Sequence, residues 1–225
     1  GRVLLAQTLE DVLDKRYEEL AQDSPFTQLV DTLSAGRDDS RLVQIVMDVF
    51  TRVQSHPDPA RWLREERTRW ELEGISDLSE TPWGNLLLED ARRQARYCIP
   101  QLLQALELAQ GDELLGKNYA PSISAALEGL DAFLQETTWD GACGRMPIPF
   151  PAAGRKRKRT VELSPMEEER AAQAGERMKA IRERCKEAMK AAAEPFEQST
   201  AQQMEELALS QPAVQALMDL VLDLQ

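Results

Sequence analysis

Few stretches of the 225-residue chain gather residues that could do chemistry. One is SHPDPARWL, residues 55–63, which holds the only histidine beside an aspartate, two prolines and a tryptophan. His56 has the chemistry of a metal ligand or a general base. Either role needs partners. The one tempting nucleophile is Cys143 in DGACG, and nothing in the sequence places it near His56. The stretch also reads completely as a helix junction. Pro57 disfavours helix at His56. Asp58 can accept from the free N–H groups of the next turn, and Pro59 fits the first helical position. Trp62 and Leu63 then begin a buried face. On this reading His56 is a loop residue in front of a helix.

Acidic pairs are frequent: Glu65 with Glu66, Glu71 with Glu73, Glu167 to Glu169. Helical di-metal sites want Glu-x-x-His pairs, and the single histidine is in none. A solvated acidic face is the simpler reading. Cys98, Cys143 and Cys185 are odd in number, far apart and without a C-x-x-C pair. Free thiols are expected, not a disulfide framework or a zinc site. The chain has no G-x-x-x-x-G-K-[ST] loop and no G-x-G-x-x-G, so no nucleotide site and no cofactor is expected within it.

The basic run is the exception. Arg155, Lys156, Arg157, Lys158 and Arg159 are consecutive in a chain of formal net charge −12. Arg177, Lys179, Arg182, Arg184, Lys186 and Lys190 follow on a long helix. Five phosphate contacts would give a log–log salt slope of roughly −4.5, or about a 500-fold loss of affinity between roughly 50 and 200 mM salt. A solvated loop and a nuclear import signal are the other readings of such a run.

The elements that must position these residues are helical. Leu, Ala, Glu, Gln and Arg dominate, and aromatics make up only 5%. The expectation is an all-α fold, an irregular bundle of about eight helices with a long basic crossing loop. The first helix carries Leu9, Val12, Leu13, Tyr17 and Leu20 on one face, with Thr8 as cap. Ser24 and Pro25 start the second, and Gly36 ends it. The third, through Leu42, Val46 and Phe50, is apolar almost all round and should be central. A long helix runs from 81 to about 110, kinked by Pro100. After a loop near 111–117, Ile123, Leu127, Leu130, Phe133 and Leu134 mark another. Residues 137–160 have no helical period and form the irregular crossing. Ser164 caps the next long helix, with Glu167 to Glu169 in its first turn. Two short helices, about 200–210 and 212–224, close the chain. The expected organisation is an N-terminal bundle part (1–136), the crossing (137–160) and C-terminal helices packing back (161–225). No repeat, membrane span or signal peptide is visible. The ends, starting at Gly and stopping without a closing turn, look like those of a piece of a longer protein.

The order of segments resembles a known family. The pattern runs through Leu29-Val30, Gly36, Asp38-Asp39, Leu42 and Ile45 to Ser55-His56-Pro57-Asp58-Pro59 with Trp62-Leu63. Tyr119, Trp139, the basic crossing, Arg182 and Lys186, and finally AVQALMDLVLDL, follow in order. The chain thus resembles the AddA (RexA) component of bacterial AddAB helicase–nucleases, UvrD-like superfamily 1 motors, in the helical 1B insertion. The resemblance implies a cytoplasmic bacterial parent using ATP and Mg. It would act as a 3′–5′ helicase and exonuclease beside AddB in double-strand break processing and recombinational repair. The motor's phosphate-binding loop and the nuclease motif would lie outside these residues. In related motors the corresponding insertion leans over the duplex. The resemblance therefore favours DNA-phosphate contact by Arg155, Lys156, Arg157, Lys158, Arg159, Arg182 and Lys186. The expected function is a non-catalytic accessory domain. Its expected partners are the double-stranded DNA backbone, the rest of the motor and an AddB-type subunit, with no membrane. The rival reading is a docking module for the partner nuclease subunit without DNA contact.

Overall fold

A computed structural model of the chain describes residues 2–19, 24–33, 39–154 and 159–225. Among these residues there are nine α-helices, two short 3-10 turns and no strand, so the fold is all-α. The helices are α1 (Arg2–Glu18), α2 (Pro25–Leu33), α3 (Ser40–Val53), α4 (Pro59–Thr68), α5 (Pro82–Gln110), α6 (Glu113–Gln135), α7 (Trp139–Arg145), α8 (Pro165–Ala193) and α9 (Thr200–Asp223). Leu20, Gly36, Asp38 and residues 155–158 lie outside the described residues.

The chain forms two compact units. The first is Gly1–Gly74 with Gln202–Gln225. Its core is mostly aliphatic: Leu9 and Leu13 of α1, Phe26 and Leu29 of α2, Leu42, Val46 and Val53 of α3, Leu63 of α4, and Ala216, Leu220 and Val221 of α9. Capping is local chemistry here. The Ser24 hydroxyl accepts from Thr27 N–H at 3.1 Å. Asp58 Oδ1 accepts from Arg61 N–H at 3.1 Å, with Pro59 first in α4. Thr8 is not a cap. It sits inside α1, and its hydroxyl bonds back to the Leu4 carbonyl at 2.9 Å, because the apolar periodicity begins earlier than the cap-like residue.

The second unit is Ile75–Ala201. Its axis is α5, which packs against both α6 and α8. The buried face of α5 is mostly small: Gly84, Ala91, Ala95, Cys98, Ala105 and Ala109, with Leu88 and Leu102. Small side chains let two helices come close on the same helix. Gly84 is required at its place, because a Cβ there would collide with the Leu78 carbonyl.

Three element boundaries differ from the sequence reading. The expected loop at 111–117 is shorter, since Asp112 caps α6 directly and accepts from Leu114 and Leu115 N–H, each at 3.0 Å. The crossing contains α7, which Thr138 caps at Gly141 N–H (3.0 Å). The last two helices are one, α9, which continues through Pro212. Proline removes only one donor, and the apolar packing of Ala213, Ala216 and Leu220 continues beyond that gap.

Candidate nucleic-acid interface

Arg155, Lys156, Arg157 and Lys158 lie outside the described residues, but their neighbours do not. Upstream, Gly154 N–H donates to the Asn118 carbonyl at 2.7 Å. The Ser122 hydroxyl donates to the Pro151 carbonyl at 2.6 Å. Downstream, the Arg159 guanidinium bonds Asp112 at 2.5 Å. The Thr160 hydroxyl reaches the Glu113 carboxylate at 2.7 and 2.8 Å. All four anchors lie at the start of α6, between its cap Asp112 and Ser122. Both stems of the run are therefore tied to one short stretch of one helix, about 15 Å long at 1.5 Å per residue.

Arg182, on α8, holds the upstream stem. Its Nε and Nη2 donate to Ser122 Oγ at 3.2 and 3.0 Å. Nη2 also donates to the Phe150 and Pro151 carbonyls at 3.2 and 2.7 Å. The guanidinium lies over the Phe150 ring, 5.8 Å from its centre. Only 12% of the side chain is exposed. A planar fork suits this geometry, and lysine could not make it. The α6 helix accommodates the strap at Gly129, where a Cβ would meet Pro149 Cδ at 2.6 Å.

The predicted contact residues therefore divide. Arg159 directs its donors onto Asp112 of the α6 cap, and Arg182 directs its donors onto Ser122 and the upstream stem. Lys186 is at the surface, paired with Glu183 at 2.7 Å and near Glu187 at 3.8 Å. Asp112 is partly buried, which raises its carboxyl. The Arg159 hydrogen bond, its charge and the Leu114 and Leu115 amides outweigh that and hold it below the usual carboxylate range. Glu113 is pushed down to about 2, first by the Lys117 hydrogen bond and then by Thr160. Both anchors thus stay ionised at neutral pH. Sequence reasoning missed Asp112, Asn118, Ser122 and the inward role of Arg182. Only the Asp112 cap left a signal, an aspartate directly after Gly111 and ahead of a helical stretch.

The other candidates have structural partners. The His56 ring stacks on Trp62, centroids 3.9 Å apart and planes 12° apart. Glu65 and Glu66 pair with Arg61 and Arg69, and Glu167 closes a capping box with Ser164. The Cys143 thiol donates to the Gln198 carbonyl at 3.3 Å. Burial, then the charges of Asp140 and Asp77, push it up to about 11, so little thiolate forms at neutral pH. All three cysteines are free thiols. Among the described residues no three His, Cys, Asp or Glu side chains group as a metal site, and no helix is long and apolar enough to cross a membrane.

No protein-family model matches the chain. Curated relatives do. Over 87 residues the chain is 33% identical to the AddA-type ATP-dependent helicase/nuclease subunit of Ruminiclostridium cellulolyticum, covering 39% of the chain and 7% of that protein. It is 26% identical over 146 residues to the corresponding subunit of Acetivibrio thermocellus, covering 62% of the chain and 11% of that protein. It is 28% identical over 109 residues to that of Bacillus mycoides, covering 48% and 9%. The similarity to AddA-type proteins is modest in identity and extends over about half of the chain. The chain spans about a tenth of the length of the curated relatives it matches.

Proposed function

We propose that this chain is a helical accessory segment of an AddA-type ATP-dependent helicase/nuclease, without catalysis of its own, and that Arg155, Lys156, Arg157 and Lys158 contact the DNA backbone. The observation that carries the reading is the double anchoring of the run. Gly154 on one side and Arg159 on the other are both tied to the start of α6. A run of four cations bracketed by built anchors suits phosphate contact better than a freely solvated loop does. Arg159 and Arg182 then hold the stems, and Lys186 adds a surface cation. Phosphate contacts position a protein and carry no sequence information. ATP, Mg, the nuclease chemistry, an AddB-type partner and work in the bacterial cytoplasm belong to the proposed parent.

The test is fluorescence anisotropy of the 225-residue chain with a short blunt DNA duplex across a salt series. The variant changes Arg155, Lys156, Arg157 and Lys158 to Gln or Ser and leaves Arg159, so the Asp112 anchor is kept. The four run residues predict a log–log slope of at least roughly −3.6 for the unaltered chain, and the variant, left with Lys186, a slope no steeper than roughly −0.9. Equal binding by both chains, or none by either when both are folded, overturns the reading.

A further inference from the structure

The first unit has an apolar groove that none of the contacts described above occupies. It has a volume of about 560 Å³ and lies between α2, α3 and α9. Leu29 and Leu33 form one wall, Ile45 stands on α3, and Ala213, Val214 and Leu217 form the other wall. Leu209, at one end, is 80% exposed. Leu209, Ala213 and Leu217 recur every four residues along α9, so the apolar strip is elongated, about 12 Å at 1.5 Å per residue. A strip of that length and spacing matches the side of another helix better than a compact small molecule.

The charges around it select the partner. Among the described residues Asp31 is the only charged one lining the groove, and no Lys or Arg lines it. Neither α2 nor α9 contains a single basic residue; α3 carries Arg41 and Arg52, and neither lines the groove. In sequence the whole unit holds 19 acidic and 10 basic side chains, a net charge of −9. We propose that this groove is a docking site for an amphipathic helix whose apolar stripe is flanked by lysines or arginines. Leucines of the incoming stripe fill the space between Leu33 and Leu217, and its flanking cations face Asp31 and are drawn by the net negative charge of the unit. The site is remote in sequence from the basic run, and either inference can fail without the other.

The probe is a designed cationic peptide of about 18 residues, five helical turns, with leucines at i, i+4 and i+7 and lysines flanking them. Its control is a scrambled peptide of the same composition, which keeps the charge and loses the stripe. Binding to the 225-residue chain is read by anisotropy. Leu209→Asp is the informative variant. Leu209 is exposed, so the fold tolerates the change, and the added negative charge would strengthen purely electrostatic binding. The expected results are binding of the striped peptide, binding at least about tenfold weaker for the scrambled one, and a loss of about tenfold for Leu209→Asp, the factor that corresponds to about 1.4 kcal/mol. Asp31→Lys weakens binding by a smaller factor. Equal binding of the two peptides, no binding of either, or unchanged or tighter binding by Leu209→Asp overturns the proposal.

Discussion

The two units solve the same packing problem with different materials. The first joins five helices mainly through leucine and valine, with Phe26 buried and Phe50 packed beside them, and ties α9 in with two ion pairs. These are Arg16 to Asp223 at 2.5 Å and Arg67 to Asp219 at 2.8 Å. The second packs a small-residue face of α5 against two helices and fastens its irregular parts with directed hydrogen bonds. Asp77 shows the second strategy. Its carboxylate accepts from Ser79 N–H (2.9 Å), Trp139 N–H (2.8 Å) and Asp140 N–H (3.1 Å), so one side chain caps two helical segments. Trp139, fully buried, donates from its indole to the Gln198 carbonyl at 2.9 Å and packs on Phe196. Charge follows the same division. The second unit holds 20 acidic and 17 basic side chains, net −3, against −9 in the first. The lesson is that nonspecific burial suffices where regular helices meet, whereas a strap without secondary structure needs explicit partners for its carbonyls.

The largest expected effect breaks the second unit. Trp139→Ala removes the buried ring and its indole hydrogen bond to the Gln198 carbonyl, and should cost about 3–5 kcal/mol in urea unfolding. In the first unit, Leu42→Ala should cost about 2–5 kcal/mol, while Leu42→Met costs less than about 1.5, because an aliphatic core tolerates shape changes at constant volume. A conservative Trp139→Phe that proved equally mild would remove the distinction between the units.

Next is Arg182→Lys, expected to cost about 1–3 kcal/mol, because the fork is lost and the Phe150 carbonyl loses a donor. Limited proteolysis should then cut more readily in residues 146–160. Cleavage at an unchanged rate would mean that Arg182 does not hold the strap.

Acid should sharpen the comparison. Asp77 is partly buried, which raises its carboxyl, but the Ser79 hydroxyl and the Trp139, Ser79 and Asp140 amides together hold it below the usual value. Asp112 is also depressed. A depressed native value means that the stabilisation is complete above the ordinary aspartate value of about 3.9 and is lost as pH falls through the lower native one. The second unit should therefore lose this contribution below about pH 4. Asp77→Asn, read by thermal unfolding from acid to neutral pH, should show a shallower acid limb and about 1–2 kcal/mol less stability at neutral pH. An acid limb unchanged by the substitution would remove Asp77 from that role.

The smallest effect is at the SHPDPARWL junction. His56→Ala removes a stacked ring and should cost about 0.5–1.5 kcal/mol, with a change in Trp62 fluorescence. A loss beyond about 3 kcal/mol, twice the upper end of that range, would show that the junction does more than end one helix and start the next.

Much of the fold is legible in the sequence. Ser24, Asp58 and Ser164 start their helices as the residues announce, because a cap bonds within three positions of itself. The long helix ending at Gln110 was readable for the same reason. Thr8 misled because a hydroxyl inside a helix can bond backward as easily as it caps. The break expected between 210 and 212 does not occur, because the apolar packing beyond Pro212 carries the helix through the one missing donor. The crossing hid α7 because seven residues carry too short a period to register. Of the candidate interface, the basic run was visible as composition. Its anchors were not, since Arg182 meets Ser122 across 60 residues and Arg159 meets Asp112 across 47.

What the sequence determined alone was the helical class, most helix starts and the presence of a cationic run in an acidic chain. Each depends on propensity, capping or charge counted over neighbouring residues. Tertiary structure decided that Arg159 and Arg182 are spent inward while Lys186 stays at the surface, that His56 lies on Trp62, and that the last helix completes a core begun by the first. Those outcomes depend on which faces meet across long stretches of chain, and local propensity carries no information about that.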